Sequence, residues 1–331
     1  MRTLIILLLL SLTVVAQNAP PENPAFDAKL LEARASFEQE KFDAALRLTL
    51  EALEIGRTTF GPDSLRVAAV QNNLGVIYRS KGDYSEAVKS FEEAIRILES
   101  MPEPDAKDLI SIRESLGLVH WRAGRNDSAE KQFRVALDIA EKKFGAAAFE
   151  SYSPTFTLAK HYAWTGEINR GDDYFLKAYR IAFLRKGKEA PELDEIEDSR
   201  TCVVAPRRPA DSDRRDFSKR LNELRDLLDP PKEKPSRPQT FREGVVNGKA
   251  KSLPRPEYPE NLRFDRKSGA VVVRVLISED GKVTSARATC GHPDFAKNAV
   301  KAALRAKFSP TLLGGEAVKV SGLIVYNFVA R

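Results

Sequence analysis

The sequence predicts a multidomain chain: an all-α solenoid of stacked helix pairs, then a small α+β domain. Three observations lead there. Ala45, Ala87, Ala129 and Gly171 recur every 42 residues and carry further apolar positions with them. The last 75 residues read as strand, tight turn, strand, helix and strand. Between the two lies a stretch with Pro230, Pro231, Pro235 and Pro238 interleaved with Lys232, Lys234 and Arg237.

At the N-terminus, Arg2 precedes an apolar run from Leu4 to Val15. Val14 and Ala16 supply small residues at −3 and −1 before Gln17, the pattern of a secretory signal peptide over residues 1–16. A spanning helix needs roughly 20 apolar residues, and Gln17-Asn18 end this run short. The alternative is an uncleaved anchor. After cleavage the chain is expected outside the cytoplasm, where Cys202 and Cys290 can pair. The sequence leaves a bridge and two free thiols both open. Neither cysteine has a second Cys or a His at ligand spacing, so no metal site is expected.

Lys and Arg number 53 against 47 Asp and Glu, a net charge of +6. From Phe241 onward, 16 Lys/Arg face 8 Asp/Glu, so the basic excess of +8 sits in the C-terminal part. With no RNA-binding signature, an acidic protein or membrane surface fits that charge better than nucleic acid. A solvated basic face is the plainer reading.

Residues 26–186 read as four repeats. Four residues after the recurring small position stand Thr49, Phe91, Phe133 and Phe175; seven after it stand Ala52, Ala94, Ala136 and Ala178. Before it come Leu74-Gly75, Leu116-Gly117 and Leu158-Ala159, then Tyr78, His120 and Tyr162. Small residues let two helices of a pair approach, and large ones fill the space between pairs. In the first unit Glu32-Ala33 replace Leu-Gly, as a terminal capping unit would. This pattern resembles the tetratricopeptide repeat, in its kinesin-light-chain-like, long-helix variety. The resemblance implies a groove lined by the first helix of each pair, with Arg34, Asn72, Asn73, Arg79, Trp121, Arg122, Lys160 and Trp164 toward a polypeptide partner. Asn73 matches the position where light-chain-type repeats hold a peptide backbone. Trp121 and Trp164 are alternatively inter-repeat packing, and His120 is expected in the core.

Residues 187–243 are expected as a linker. Helical periodicity fades after Lys186, and Cys202 falls in a stretch read as loose. Asp213 to Leu228 forms one amphipathic helix with Leu221, Leu224, Leu227 and Leu228 on a stripe, able to cap the solenoid's end. The proline stretch reads as a semi-rigid spacer at ~3.1 Å per residue.

Residues 244–331 form the last domain. Val271, Val273, Val275 and Ile277 face a core while the intervening residues are mixed, as in a sheet with one covered face. Glu279-Asp280-Gly281 makes the hairpin turn. Pro293 and Asp294 start a helix whose Phe295, Ala299, Ala302 and Ala303 lie on the sheet. The Tyr258-Pro259 start, the Val-rich strand, Asp-Gly, Phe308-Ser309-Pro310 and a closing Gly-x-Ile-x-Tyr-x-Phe together resemble the C-terminal domain of TonB-type energy transducers. The resemblance implies a periplasmic module that pairs with an extended segment of an outer-membrane receptor. Strand addition needs an edge with unpaired backbone groups. Val318, Val320, Ile324, Tyr326 and Phe328 are the expected edge strand; a homodimer or the connector covering that strand are the alternatives.

No phosphate loop, acid dyad, nucleophile elbow or metal cluster stands out in the sequence. No enzyme and no cofactor are expected. The expected role is an extracytoplasmic adaptor for protein partners, outer-membrane receptors among them. The alternatives are an energy transducer anchored in the inner membrane and an envelope scaffold. Partner identity, membrane contact and oligomeric state stay open.

Overall fold

The computed structural model describes residues 22–204, 211–230, 240–246, 249–259 and 268–329. The chain divides between Ile139 and Ala140 into two compact units. The expected signal peptide and nearly all of the proline spacer lie outside the described residues. No helix of the described residues is long and apolar enough to cross a membrane.

The first unit is built of helix pairs: α1 (Pro24–Glu38) with α2 (Phe42–Phe60), α3 (Leu65–Lys81) with α4 (Tyr84–Glu99), and α5 (Ala106–Arg122) with the start of α6 (Asn126–Phe144). Local chemistry sets the starts. Asn23, Ser64, Asp83 and Asp105 each accept a first-turn N–H through the side chain. The turn inside each pair needs a left-handed residue. Gly82 (φ 83°) and Gly124 (φ 74°) fill it here and Gly166 (φ 100°) fills it in the second unit, while the first pair places Glu40 there at φ 57°.

The repeat pattern is the core pattern. Ala45, Ala87, Ala129, Ala52, Ala94 and Ala136 are fully buried, as are Phe91 and Phe133. Each Phe lies against the glycine of its own pair. A Cβ at Gly75 would stand 2.7 Å from the Phe91 ring, and one at Gly117 would collide with Phe133. That close approach is why the first helix carries Gly where the second carries Phe.

The second unit opens with the rest of α6, a 3-10 turn (Phe149–Ser151), α7 (Tyr152–Thr165) and α8 (Ile168–Lys186), whose Phe175 and Ala178 repeat the same packing. The stretch expected to be loose is instead a helix, α9 (Pro191–Val204). Its Leu193 and Ile196 are fully buried with Phe156, Phe175 and Tyr179. The weak periodicity has a physical reason: α9 packs on two sides, so its polar residues are buried as well. The expected amphipathic helix is α10 (Asp211–Leu228), which sets Phe217 and Leu221 into the same core.

The C-terminal module contains β1 (Thr240–Val245), β2 (Ala250–Ser252), β3 (Gly269–Ile277), β4 (Val283–Cys290), α11 (Pro293–Ala303), β5 (Lys307–Phe308), β6 (Thr311–Leu313) and β7 (Glu316–Phe328). The main sheet runs β1-β7-β3-β4, with β6 also on β7, and β2 pairs β5. β3 is antiparallel to both neighbours, and β1 is parallel to β7. Alternate residues Val271, Val273, Val275 and Ile277 face α11, where Phe295, Ala299, Ala302 and Ala303 are buried. Phe295 stacks on Phe328 at 4.4 Å between centroids, and Tyr258 meets both rings edge-on.

Candidate protein-binding surfaces

On the first-helix face of the first unit, the expected groove residues take distinct roles. Arg34 is exposed and donates to Glu38 at 2.8 Å. Asn72 is half-buried on α3 and Asn73 is exposed. Arg79 is half-buried, and burial together with the neighbouring Arg122 cation pushes its pKa down. Trp121 sits partly buried, edge-on to Phe133 at 6.4 Å, so it belongs in good part to the packing. His120 is buried, and burial lowers its pKa, as befits a neutral core residue.

Between α1 and α3 the same face holds a hollow of about 380 Å³, lined by Leu30, Leu31, Ala33, Phe37, Val76 and Ile77, with Thr49 beneath and Arg34 and Asn73 beside it. Sequence reasoning named only the two polar residues. The signal for the rest was present: Ala33 and Thr49 stand where the second and third pairs carry Gly and Phe.

The remaining two expected groove residues lie in the second unit. Lys160 places its ammonium 4.3 Å from the Phe156 ring centroid, and Trp164 is 55% exposed at the end of α7.

The expected edge strand requires correction. Residues 319–323 of β7 are interior: β3 pairs along one side, and β1 pairs along the other through Thr240, Phe241, Arg242 and Val245. Val318, Val320, Ile324, Tyr326 and Phe328 are all buried, and burial raises the Tyr326 phenol to about 12. The reason is that the connector itself supplies a strand, which takes the backbone groups of residues 319–323 that a partner would need. The edges of the main sheet are β1 and β4.

The sheet's second face also departs from expectation, because α9 covers it. Val272 and Leu323 are buried there beside Cys202, Cys290 and Val325. Cys202 and Cys290 form a disulfide with a Cα–Cα distance of 6.0 Å. Arg274 donates to Asp198 through Nε (2.9 Å) and Nη2 (2.6 Å), and to Ser321 through Nη1 (3.2 Å). Arg287 reaches the other Asp198 oxygen at 3.2 Å. Burial opposes the Arg274 charge, but Asp198 and Asp194 hold its pKa above the ordinary value. On its other side α9 donates from Arg200 to both oxygens of Asp172 at 2.9 Å. The sequence signal was the spacing of Asp194, Asp198 and Cys202, four apart on one helical stripe, set against an arginine in a valine-rich strand.

Comparison with known proteins agrees with these two architectures. Residues 27–100 and 109–148 match models of the tetratricopeptide repeat, and residues 254–329 match the Gram-negative bacterial TonB protein C-terminal domain. Among solved structures, the chain is similar to kinesin-light-chain-type proteins of Podosopora anserina with nearly identical TPR-like repeats. One such structure, a single-substitution variant, is 16% identical with a TM-score of 0.50, covering 62% of this chain and 96% of that one. Another is 14% identical with a TM-score of 0.49, covering 63% and 100%. BtubC from P. vanneervenii is 16% identical with a TM-score of 0.46, covering 62% and 82%. No curated protein matches the chain. The fold and the family-model matches define a class of helical-repeat proteins. More particularly, the chain is a tetratricopeptide-repeat protein with a TonB-type C-terminal domain.

Proposed function

We propose that the chain is an extracytoplasmic adaptor. The helix repeats hold one polypeptide, and the C-terminal module engages a second at the cell envelope, with outer-membrane receptor segments the candidate class. The observation that carries this reading is the union, in one chain, of two interaction families that are not catalytic. The Cys202–Cys290 disulfide supports an oxidising compartment. The module's docking surface in this reading is not residues 316–323 of β7, whose two sides are taken.

The second reading, an anchored energy transducer, is favoured by the family matched at residues 254–329. The mass of the mature N-terminus separates the two. Cleavage before Gln17 supports the adaptor; retention of residues 1–16 supports the transducer. For the adaptor itself, crosslinking of the full chain in envelopes should recover discrete protein partners, and Trp164→Ala should reduce that recovery. Recovery of none would overturn the adaptor.

A further inference from the structure

We propose that one end of the C-terminal module docks on an anionic lipid surface. The arm formed by β6 and the start of β7 inserts Leu312 and Leu313 among the lipids, and lysines around its base meet the head groups. This goes beyond the adaptor reading, because it adds a lipid contact to the two polypeptide contacts.

β6 turns through Gly314 and Gly315 into β7, with Leu312 opposite Ala317 and Leu313 opposite Glu316. Both glycines hold positive φ, 60° and 86°, and a Cβ on either would meet no atom of the described residues within 4 Å, so the tip stands clear. Leu312 is 62% exposed and Leu313 41%. Successive side chains of a strand point to opposite faces, so the arm is apolar on both of them. A protein laid against the arm covers one face and leaves the other leucine in water. A lipid layer surrounds the tip and takes up both. Exposed apolar surface rimmed by polar groups marks a contact site.

The base of the arm is basic. The β3–β4 turn, β2 and β5 gather at this end: the Phe308 N–H donates to the Gly281 carbonyl at 2.8 Å, Ser252 pairs with Lys307, and Lys282 bridges to Lys307. Lys249, Lys251, Lys282, Lys307 and Lys319 are exposed there, against Glu279, Asp280 and Glu316. Asp280 is already paired with Lys282 at 2.7 Å. These cations are lysines, whose compact charge on a flexible stem reaches head groups while the stem lies along apolar surface. A site built to read carboxylates on a protein favours the fork of arginine. At the foot of the arm a second hollow, of about 320 Å³, has the buried Ile277, Phe308 and Val320 in its lining, together with Lys249, Ser309 and Thr311. Hydrogen-bond donors beside an apolar floor fit an amphiphile, with its phosphate at the donors and an acyl segment below. Neither two leucines nor a few lysines hold a protein on a membrane alone. Together they supply the apolar and electrostatic signals that stable attachment needs.

The test is flotation of the full chain with vesicles of phosphatidylcholine, alone and mixed with phosphatidylglycerol. The chain should float with the mixed vesicles, and added salt should reduce that flotation. Leu312→Ser/Leu313→Ser should lower partitioning by ~10-fold or more through loss of two inserted side chains. Lys249→Gln/Lys307→Gln should lower it by ~5-fold or more on the mixed vesicles alone. All four side chains are exposed, so both variants should keep the wild-type urea midpoint. Leu313→Trp gives an independent readout. Its emission should shift to the blue and be quenched by brominated lipid, beyond any change in the wild type, whose Trp121 and Trp164 lie in the helix pairs. The proposal is overturned if the chain does not float, if phosphatidylcholine alone binds it as well, or if Leu313→Trp shows no blue shift. It is overturned too if the leucine variant floats like the wild type, as attachment through the apolar run from Leu4 to Val15 would give. If the leucine variant loses binding to polyglutamate, or loses a concentration-dependent dimer, while vesicles bind neither form, the surface belongs to a protein and the proposal fails. Failure to float leaves the envelope crosslinks, and so the adaptor, untouched, whereas loss of all crosslinks in the wild type removes the adaptor alone.

Discussion

In the first unit each helix pair closes on residues of its own pair and the next, as Phe91 does on Gly75 sixteen positions away. In the second unit the C-terminal sheet is closed by a helix far back in the chain: Arg274 meets Asp198 across 76 residues, Arg287 meets it across 89, and the disulfide spans 88. The difference bears on recognition as well as stability. Local closure uses up only the surface between neighbouring helices and leaves the first-helix face, with its hollow, open. Long-range closure occupies the surfaces a sheet would offer to a partner. Here β1 takes one side of β7, and α9 takes one face.

The comparison breaks first at Asp198. Removing one partner of a buried ion pair leaves the other charge stranded, at a cost of roughly 3–5 kcal/mol. Asp198→Ala should therefore lower the urea midpoint of the second unit sharply, because Arg274 and Arg287 both lose their shared carboxylate. Replacing both Asp198 and Arg274 by leucine should cost less, since the charges left beside the site, Asp194 and Arg287, are both partly exposed. A loss below ~1 kcal/mol in Asp198→Ala would mean that water reaches the pair and that α9 does not seal the face.

The next effect in size belongs to the disulfide. Cys202→Ser/Cys290→Ser opens a long loop in the unfolded chain, for which roughly 2–4 kcal/mol is typical. Reductant should shift the wild type by a similar amount and leave the double variant unmoved. If reductant changes neither, the ion pairs alone hold α9 in place.

The same contrast explains what could be read in the sequence. The repeats were legible because their contacts recur at one spacing: Ala87, Phe91 and Ala94 repeat as Ala129, Phe133 and Ala136. The inner face of β3 and the packing face of α11 were legible because alternation and helical periodicity are local. α9 was not, because Asp198 and Arg200 are buried polar residues whose partners lie on other elements. The expected edge failed for a related reason. β7 has the pattern of a half-buried strand whether its neighbour is foreign or is residues 240–245 of its own chain. The hollow was hidden in plain view, as the absence of a phenylalanine at Thr49.

The smallest expected effect tests whether the helix pairs are the independent local units this contrast requires. Glu40 holds φ 57° at the turn where Gly82, Gly124 and Gly166 stand in the later pairs. For a residue with a Cβ the left-handed conformation costs roughly 1–2 kcal/mol. Glycine removes that cost and adds back some unfolded-state entropy. The Glu40 N–H donates to the Phe37 carbonyl at 2.9 Å, a backbone contact that glycine keeps. Glu40→Gly should therefore stabilise the first unit by ~1 kcal/mol or slightly less in urea titration. Gly82→Ala, the reverse change at the equivalent turn, should destabilise by ~1 kcal/mol or more. If the turns are equivalent, the two shifts will be opposite in sign and similar in size. Two shifts of the same sign would show that the first pair's turn is held by its neighbours rather than by its own backbone.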